Sequence, residues 1–158
     1  MEACSFTGHR RIEPTHLGRI DELLGKAIVY AYGEGCRHFY VGGALGFDTL
    51  AARQIILFRM SHPDAKLHVI VPCRNQCDGW SSSQISTYEY ILSRADSVEY
   101  LYDEYVDGCM RERNRRLADL ADIMIAYVSR SNSGAAQTAR MAEKMGKKVY
   151  NLYPSLNV

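Results

Sequence analysis

The chain has 158 residues, 47% of them hydrophobic and 23% charged, an ordinary globular composition sized for one domain over residues 1–158. Lys and Arg number 19 against 18 Asp and Glu, a net charge of +1. That balance excludes a uniformly basic nucleic-acid coat and an acidic disordered tail, and it leaves room for a local basic patch.

Short apolar runs alternate with amphipathic stretches along the chain. Ala3 to Phe6 reads as a buried strand stopped by Gly8. Ile20, Leu23, Leu24, Ala27, Ile28 and Ala31 recur at helical spacing, and Gly33 and Gly35 end that helix. His38 to Val41 is a second strand, followed by Gly42-Gly43 and a helix from about Phe47 to Met60. Leu67 to Val71 is a third strand, closed by Pro72. After a polar stretch from Arg74 to Ser83, a helix passes through Tyr88 and Ile91 to about Ala95. Ser97 to Leu101 forms a fourth strand and a helix runs from about Val106 to Leu120. Ile123 to Val128 is the clearest buried strand. Gly134 opens a last helix that stops at Gly146, and Lys148 to Leu152 closes the chain as a strand.

Strands that are apolar throughout, rather than alternating, are covered on both faces. The expected architecture is therefore α/β: a single-domain, Rossmann-like open parallel sheet sandwiched between helices. Ligands of such sheets bind beyond the carboxyl ends of the strands.

Three loops belong to that edge. Thr7-Gly8-His9-Arg10 offers a tight turn, a hydroxyl and a planar cation suited to phosphate, or serves as a plain polar turn. Gly42-Gly43-Ala44-Leu45-Gly46-Phe47-Asp48 places three glycines between a strand and a helix, where backbone N–H groups can approach an anion. It is neither G-x-G-x-x-G nor a P-loop. Asp48 is either an acid favoured by the helix dipole or a catalytic carboxylate. Ser131-Asn132-Ser133-Gly134-Ala135-Ala136-Gln137-Thr138 is either an ordinary capped helix start or a second phosphate cradle.

The run Arg111-Glu112-Arg113-Asn114-Arg115-Arg116 is a solvated helix face or holds an Arg–Asn pair aimed at a sugar or phosphate. Arg113 and Asn114 cannot both face the same way as Arg115 and Arg116 on a helix, so the run splits between site and solvent. Cys73 and Cys77 lack a matching second pair for a structural zinc site, so no metal is expected. Trp80 and Tyr88 could stack on a base, although packing is the commoner use of such rings. Five scattered cysteines, an odd number, suit a reduced cytoplasmic protein. No apolar run nears the roughly 20 residues of a membrane span, and Met1-Glu2-Ala3-Cys4 does not open a signal peptide, so no membrane partner is expected.

Thr7 to Arg10, the Gly-x-Ala-x-Gly-x-Asp segment at Gly42 to Asp48, Pro72-Cys73 with Gln76 and Trp80, and Cys109-Met110 with Arg113-Asn114 occur in one order and spacing. Together they resemble the YpsA-like branch of the SLOG superfamily, related to the bacterial Smf/DprA and LOG proteins, from Cys4 to Tyr153. The resemblance implies a nucleotide-related ligand, such as an ADP-ribose or NAD-like molecule, with no other cofactor required. It places Thr7, Gly8, His9 and Arg10 on one phosphate or sugar. Gly42, Gly43, Ala44 and Gly46 would supply backbone donors beside Asp48, and Arg113 and Asn114 would reach the ligand. Ser133, Gly134, Ala135 and Thr138 would form the second cradle.

DprA-like relatives bind single-stranded DNA, and Arg113 to Arg115 and Ser133 to Arg140 look similar to them. A strand-binding groove would be expected to show more excess Lys and Arg. LOG-like relatives are phosphoribohydrolases whose run Gly-Gly-x-Gly-Thr-x-x-Glu ends here in Arg140 in place of the Glu, with Gln137 in place of the Thr. Asp48 is then the one carboxylate in the loops left for acid–base work in N-glycosidic hydrolysis. A homodimer is expected only from the general prevalence of two-fold assemblies.

Overall fold

A computed structural model describes residues 1–129 and 132–157. Ser131 of the third loop lies outside them. The strands are β1 (Ala3–Gly8), β2 (His38–Val41), β3 (Lys66–Cys73), β4 (Ser97–Tyr102), β5 (Ile123–Tyr127) and β6 (Lys148–Asn151). The helices are α1 (Arg19–Gly33), α2 (Phe47–Arg59), α3 (Ser82–Arg94), α4 (Cys109–Leu120), α5 (Gly134–Lys144) and the short α6 (Tyr153–Leu156). All strand pairs are parallel, in the order β4-β3-β2-β1-β5-β6. This is the expected Rossmann-like α/β sheet.

Chain direction across the sheet reverses between β1 and β5, which makes their carboxyl ends the switch point where such folds open a crevice. Ile20, Leu24 and Ile28 of α1, with Phe47, Ala51 and Ile55 of α2, pack with Phe6, Phe39 and Val69 into the main core. Ala118 of α4 and Ala142 of α5 meet Met124 in a smaller cluster. Ser5 points to the α4 side, where its hydroxyl donates to the Leu117 carbonyl at 2.7 Å.

Several boundaries differ from the pattern reading. β3 runs through Pro72 to Cys73 rather than closing at Val71. Its partner β2 ends opposite Val69, so beyond that point β3 pairs with β4 alone, and a residue without an N–H is tolerated. Thr7 and Gly8 are the last residues of β1, paired with Ala126 and Tyr127, rather than loop residues. α4 begins at Cys109, not near Val106, because Gly108 stands before it in a left-handed conformation at φ 83°. Gly33 is the last residue of α1 rather than its stop, and Gly35 makes the turn at φ 108°. α3 starts at a capping box in which Ser81 and Gln84 satisfy each other's backbone N–H. A one-turn 3-10 segment at Pro14–His16 and α6 carry no periodicity that reveals them.

Candidate functional site

The three loops converge because His9 ties them together. Its N–H donates to the Tyr127 carbonyl at 3.2 Å and its carbonyl accepts the Phe47 N–H at 3.1 Å. Its ring Nε2 accepts the Ser129 N–H at 2.8 Å and lies 3.0 Å from Ser129 Oγ. One residue after β1 is thereby fastened to the start of α2 and to the segment after β5. Gly46 completes the join at φ 77°, where a Cβ would lie 2.1 Å from the Arg10 carbonyl oxygen. No side chain fits there.

The glycine-rich loop is held from below. Asp48, in the first turn of α2, is 6% exposed, and its Oδ2 accepts the Ala44 N–H at 3.2 Å. Burial pushes its carboxyl pKa up, and the nearby Arg113, the Ala44 N–H, Arg10 and the Gly42 N–H pull the other way. Arg113, in the middle of α4, is 5% exposed, and its Nη1 donates to the Gly42 carbonyl at 2.5 Å. Burial draws its pKa down, with Asp48 opposing that shift. Gly42 fits between the two, since a Cβ there would lie 2.7 Å from Arg113 Nη1 and 2.8 Å from Asp48 Oδ2. Gln76 Nε2 donates to the Gly43 carbonyl at 3.1 Å, so the polar stretch after β3 braces the same loop. Trp80 packs edge-on against Tyr88 at 5.3 Å, and neither ring lines the crevice.

Between these loops and α5 lies a cavity of about 780 Å³. Of the expected site residues it is lined by Thr7, Gly8, His9, Arg10, Ala44, Asp48, Arg113, Asn114, Ser133, Gly134 and Ala135. Gly42, Gly43, Gly46 and Thr138 do not line it. The three glycines shape the loop from behind, and the Thr138 hydroxyl donates back to the Gly134 carbonyl inside α5 at 2.8 Å.

Phe6, Arg11, Glu13, Met110, Leu117 and Ser129 also line the cavity; none was expected as a site residue, although Met110 stands in the Cys109-Met110 motif. Met110 and Leu117 share a helical face with Arg113 and Asn114 at spacings of three and four, a signal that could have found them. Arg116 leaves that face to pair with Glu99 at 2.9 Å, and Arg115 is exposed, so the basic run divides between site and solvent.

The floor and one wall of the cavity are apolar through Phe6, Met110 and Leu117. The rim carries Arg10 and Arg11 and the first turn of α5. Ser133 caps that helix, its Oγ accepting the Ala136 N–H at 3.0 Å. An anion at this rim would meet helix-start N–H groups and cations together. Among the described residues no three His, Cys, Asp or Glu side chains gather as metal ligands, and no helix is long and apolar enough to cross a membrane.

A family model described as the YspA SLOG family matches residues 6–154. The chain is 27% identical over 158 residues to the uncharacterised SPbeta prophage-derived protein YoqJ of Bacillus subtilis (strain 168), covering 91% of this chain and 92% of that one. It is 24% identical over 162 residues to a UPF0398 protein of Bacillus thuringiensis (strain Al Hakam), covering 97% and 88%. Among solved structures it is similar to DNA processing protein A from Helicobacter pylori, at TM-score 0.67 and 20% identity over 94% of this chain. The protein of the same name from Streptococcus pneumoniae matches at TM-score 0.67 and 17% identity over 95% of this chain. This chain spans 63% and 50% of those two chains.

Proposed function

This chain belongs to the YspA SLOG family, and from that membership together with its crevice we propose that it is a cytoplasmic protein binding a nucleotide or nucleotide-derived molecule of the ADP-ribose or NAD kind. The observation that carries this reading is the cavity of about 780 Å³ at the β1/β5 switch point, within the size range of small-ligand sites. Its apolar floor suits a base. Its rim, with Arg10, Arg11 and the N–H groups opening α5, suits phosphate. Such a protein would act as a ligand sensor.

Asp48 favours binding over hydrolysis, because its buried carboxylate is already engaged by the Ala44 N–H beneath the loop. Single-stranded DNA is the second reading. It comes from the Helicobacter pylori neighbour, whose structure concerns single-stranded DNA binding, and the net charge of +1 weighs against a long basic track.

One panel tests these readings. The pure protein is incubated with ADP-ribose, NAD and nucleoside monophosphates, followed by thermal melts and chromatography, with a salt titration of a labelled oligonucleotide alongside. The proposal expects a raised melting temperature with unchanged ligand. Released base that disappears in Asp48→Asn would make the protein a hydrolase. Oligonucleotide binding that weakens steeply with salt, with no nucleotide effect, would make it a strand binder.

A further inference from the structure

The side-chain amide of Asn114 has one orientation open to it. Arg113 Nε donates to Asn114 Oδ1 at 2.9 Å, and a guanidinium has only donors to offer. The amide oxygen must therefore face Arg113, and the NH2 must face away. It faces the start of α5, where a Cβ built on Gly134 would lie 4.0 Å from Asn114 Nδ2, and both residues line the crevice. Arg113 cannot turn to release the oxygen, since its Nη1 is committed to the Gly42 carbonyl and the side chain is buried.

An unrestrained asparagine offers a ligand a donor or an acceptor with equal ease. This one turns its donors toward the crevice, beside the opening turn of α5. A phosphoryl oxygen gains a charge-assisted bond from such a donor, roughly twice the strength of one to a neutral hydroxyl.

We propose that Asn114 is the residue by which the crevice tells a phosphorylated nucleoside from its dephosphorylated form, with Arg113 as the positioning residue that locks the amide. The inference rests on the nucleotide reading above and assigns the two neighbours different tasks. Asn114 touches the ligand; Arg113 acts through Asn114 and Gly42.

The test is calorimetric titration of AMP and of adenosine into the full chain and its variants. In the wild type, AMP binds more tightly than adenosine. Asn114→Asp keeps an oxygen toward Arg113 and turns the other into an anion facing the ligand. AMP affinity then falls by about tenfold or more, the scale of one charge-assisted hydrogen bond, while adenosine affinity and the melting temperature hold.

Asn114→Ala removes the donor without adding charge and lowers the AMP-to-adenosine ratio in the same direction. Arg113→Lys keeps the charge and loses the fork that holds both Gly42 and Asn114, and lowers the AMP-to-adenosine ratio again. An unchanged ratio in both Asn114 variants overturns the proposal, as does a wild type that binds AMP and adenosine equally, and either result leaves the nucleotide reading standing. A wild type that binds neither also overturns the proposal, and the nucleotide reading is then decided separately by the ADP-ribose and NAD melts.

Discussion

Arg113 and Asp48 meet at Gly42. One comes from α4 on one side of the sheet and the other from α2 on the opposite side, and they close over the end of β2. Arg113 takes the Gly42 carbonyl, Asp48 takes the Ala44 N–H, and glycine is the residue that fits between them. For both groups burial is the largest influence, raising the carboxyl and lowering the guanidinium, and each opposes the shift in the other. Neither charge is tolerable there alone. The glycine-rich loop is thus set by two buried charges as well as by its own flexibility.

Removing one charge should cost more than removing both. Arg113→Met leaves Asp48 buried without its cation and should destabilise the fold by about 3 kcal/mol. The Asp48→Asn/Arg113→Met double variant should recover part of that loss, because no uncompensated charge remains. Urea denaturation of the four proteins in a double-mutant cycle measures the coupling. Additive losses would mean that the charges do not sense one another.

Gly46 and Gly134 should respond in opposite ways to the same methyl group. At Gly46 the backbone has φ 77° and the Arg10 carbonyl oxygen stands 2.1 Å from any Cβ, so Gly46→Ala should lose about 2 kcal/mol or more. At Gly134 the nearest atom is Asn114 Nδ2 at 4.0 Å, and Gly134→Ala should stay within about 0.5 kcal/mol of the wild type. Denaturation midpoints of the two variants, compared directly, check the contrast.

His68 gives the fold an acid-sensitive point away from the crevice. It stacks on Tyr40 at 4.7 Å, its Nε2 lies 2.9 Å from His38 Nδ1, and its Nδ1 lies 2.6 Å from Ser97 Oγ. Burial, then His38, holds its pKa below the ordinary 6.5. A histidine depressed in the folded state binds fewer protons there than when unfolded. Its contribution is therefore complete above pH 6.5 and is lost as the pH falls from 6.5 through the depressed folded value. Denaturation midpoints taken from pH 7.5 down to 5 should drop more steeply in the wild type than in His68→Gln. Parallel curves would remove His68 from the account.

Arg10→Ala should weaken ADP-ribose by about tenfold or more if this cation meets a phosphate at the rim. Arg11→Ala, at the same rim, gives the comparison that separates a specific contact from general attraction. Equal small losses in both would indicate only the latter.

Much of the fold could be read from strands such as Ile123 to Tyr127, whose five residues are all buried and which therefore appear as an unbroken apolar run. The same physics hid the ends. Pro72 looks like a stop because a central strand cannot spare an N–H, and only the sheet order reveals that β2 has ended beside it. Within the site, Arg10, Asn114 and Gly134 were visible as residue types that suit phosphate chemistry, and Asp48 as an acid at a helix start. The burial of Arg113 was not visible, since five other polar residues surround it in sequence and its partner Gly42 is brought to it only by the fold. His9 was visible as a ring beside a glycine, while its work as the tie among three loops depends on Phe47, Tyr127 and Ser129 being neighbours in space. Met110 and Leu117 were legible in principle, by extending the helical face of Arg113 and Asn114 one turn each way.

On the reading proposed above, a phosphate-bearing nucleotide derivative occupies the crevice between the β1 loop and the start of α5. Calorimetric titration of ADP-ribose into the wild type and into Gly134→Leu settles the matter, because the position has room for a Cβ and a leucine there would intrude on the start of α5, where the crevice is lined by Gly134. Saturable one-site binding is expected for the wild type, and none for a Gly134→Leu protein that melts at the wild-type temperature. Equal binding by both proteins would contradict that reading.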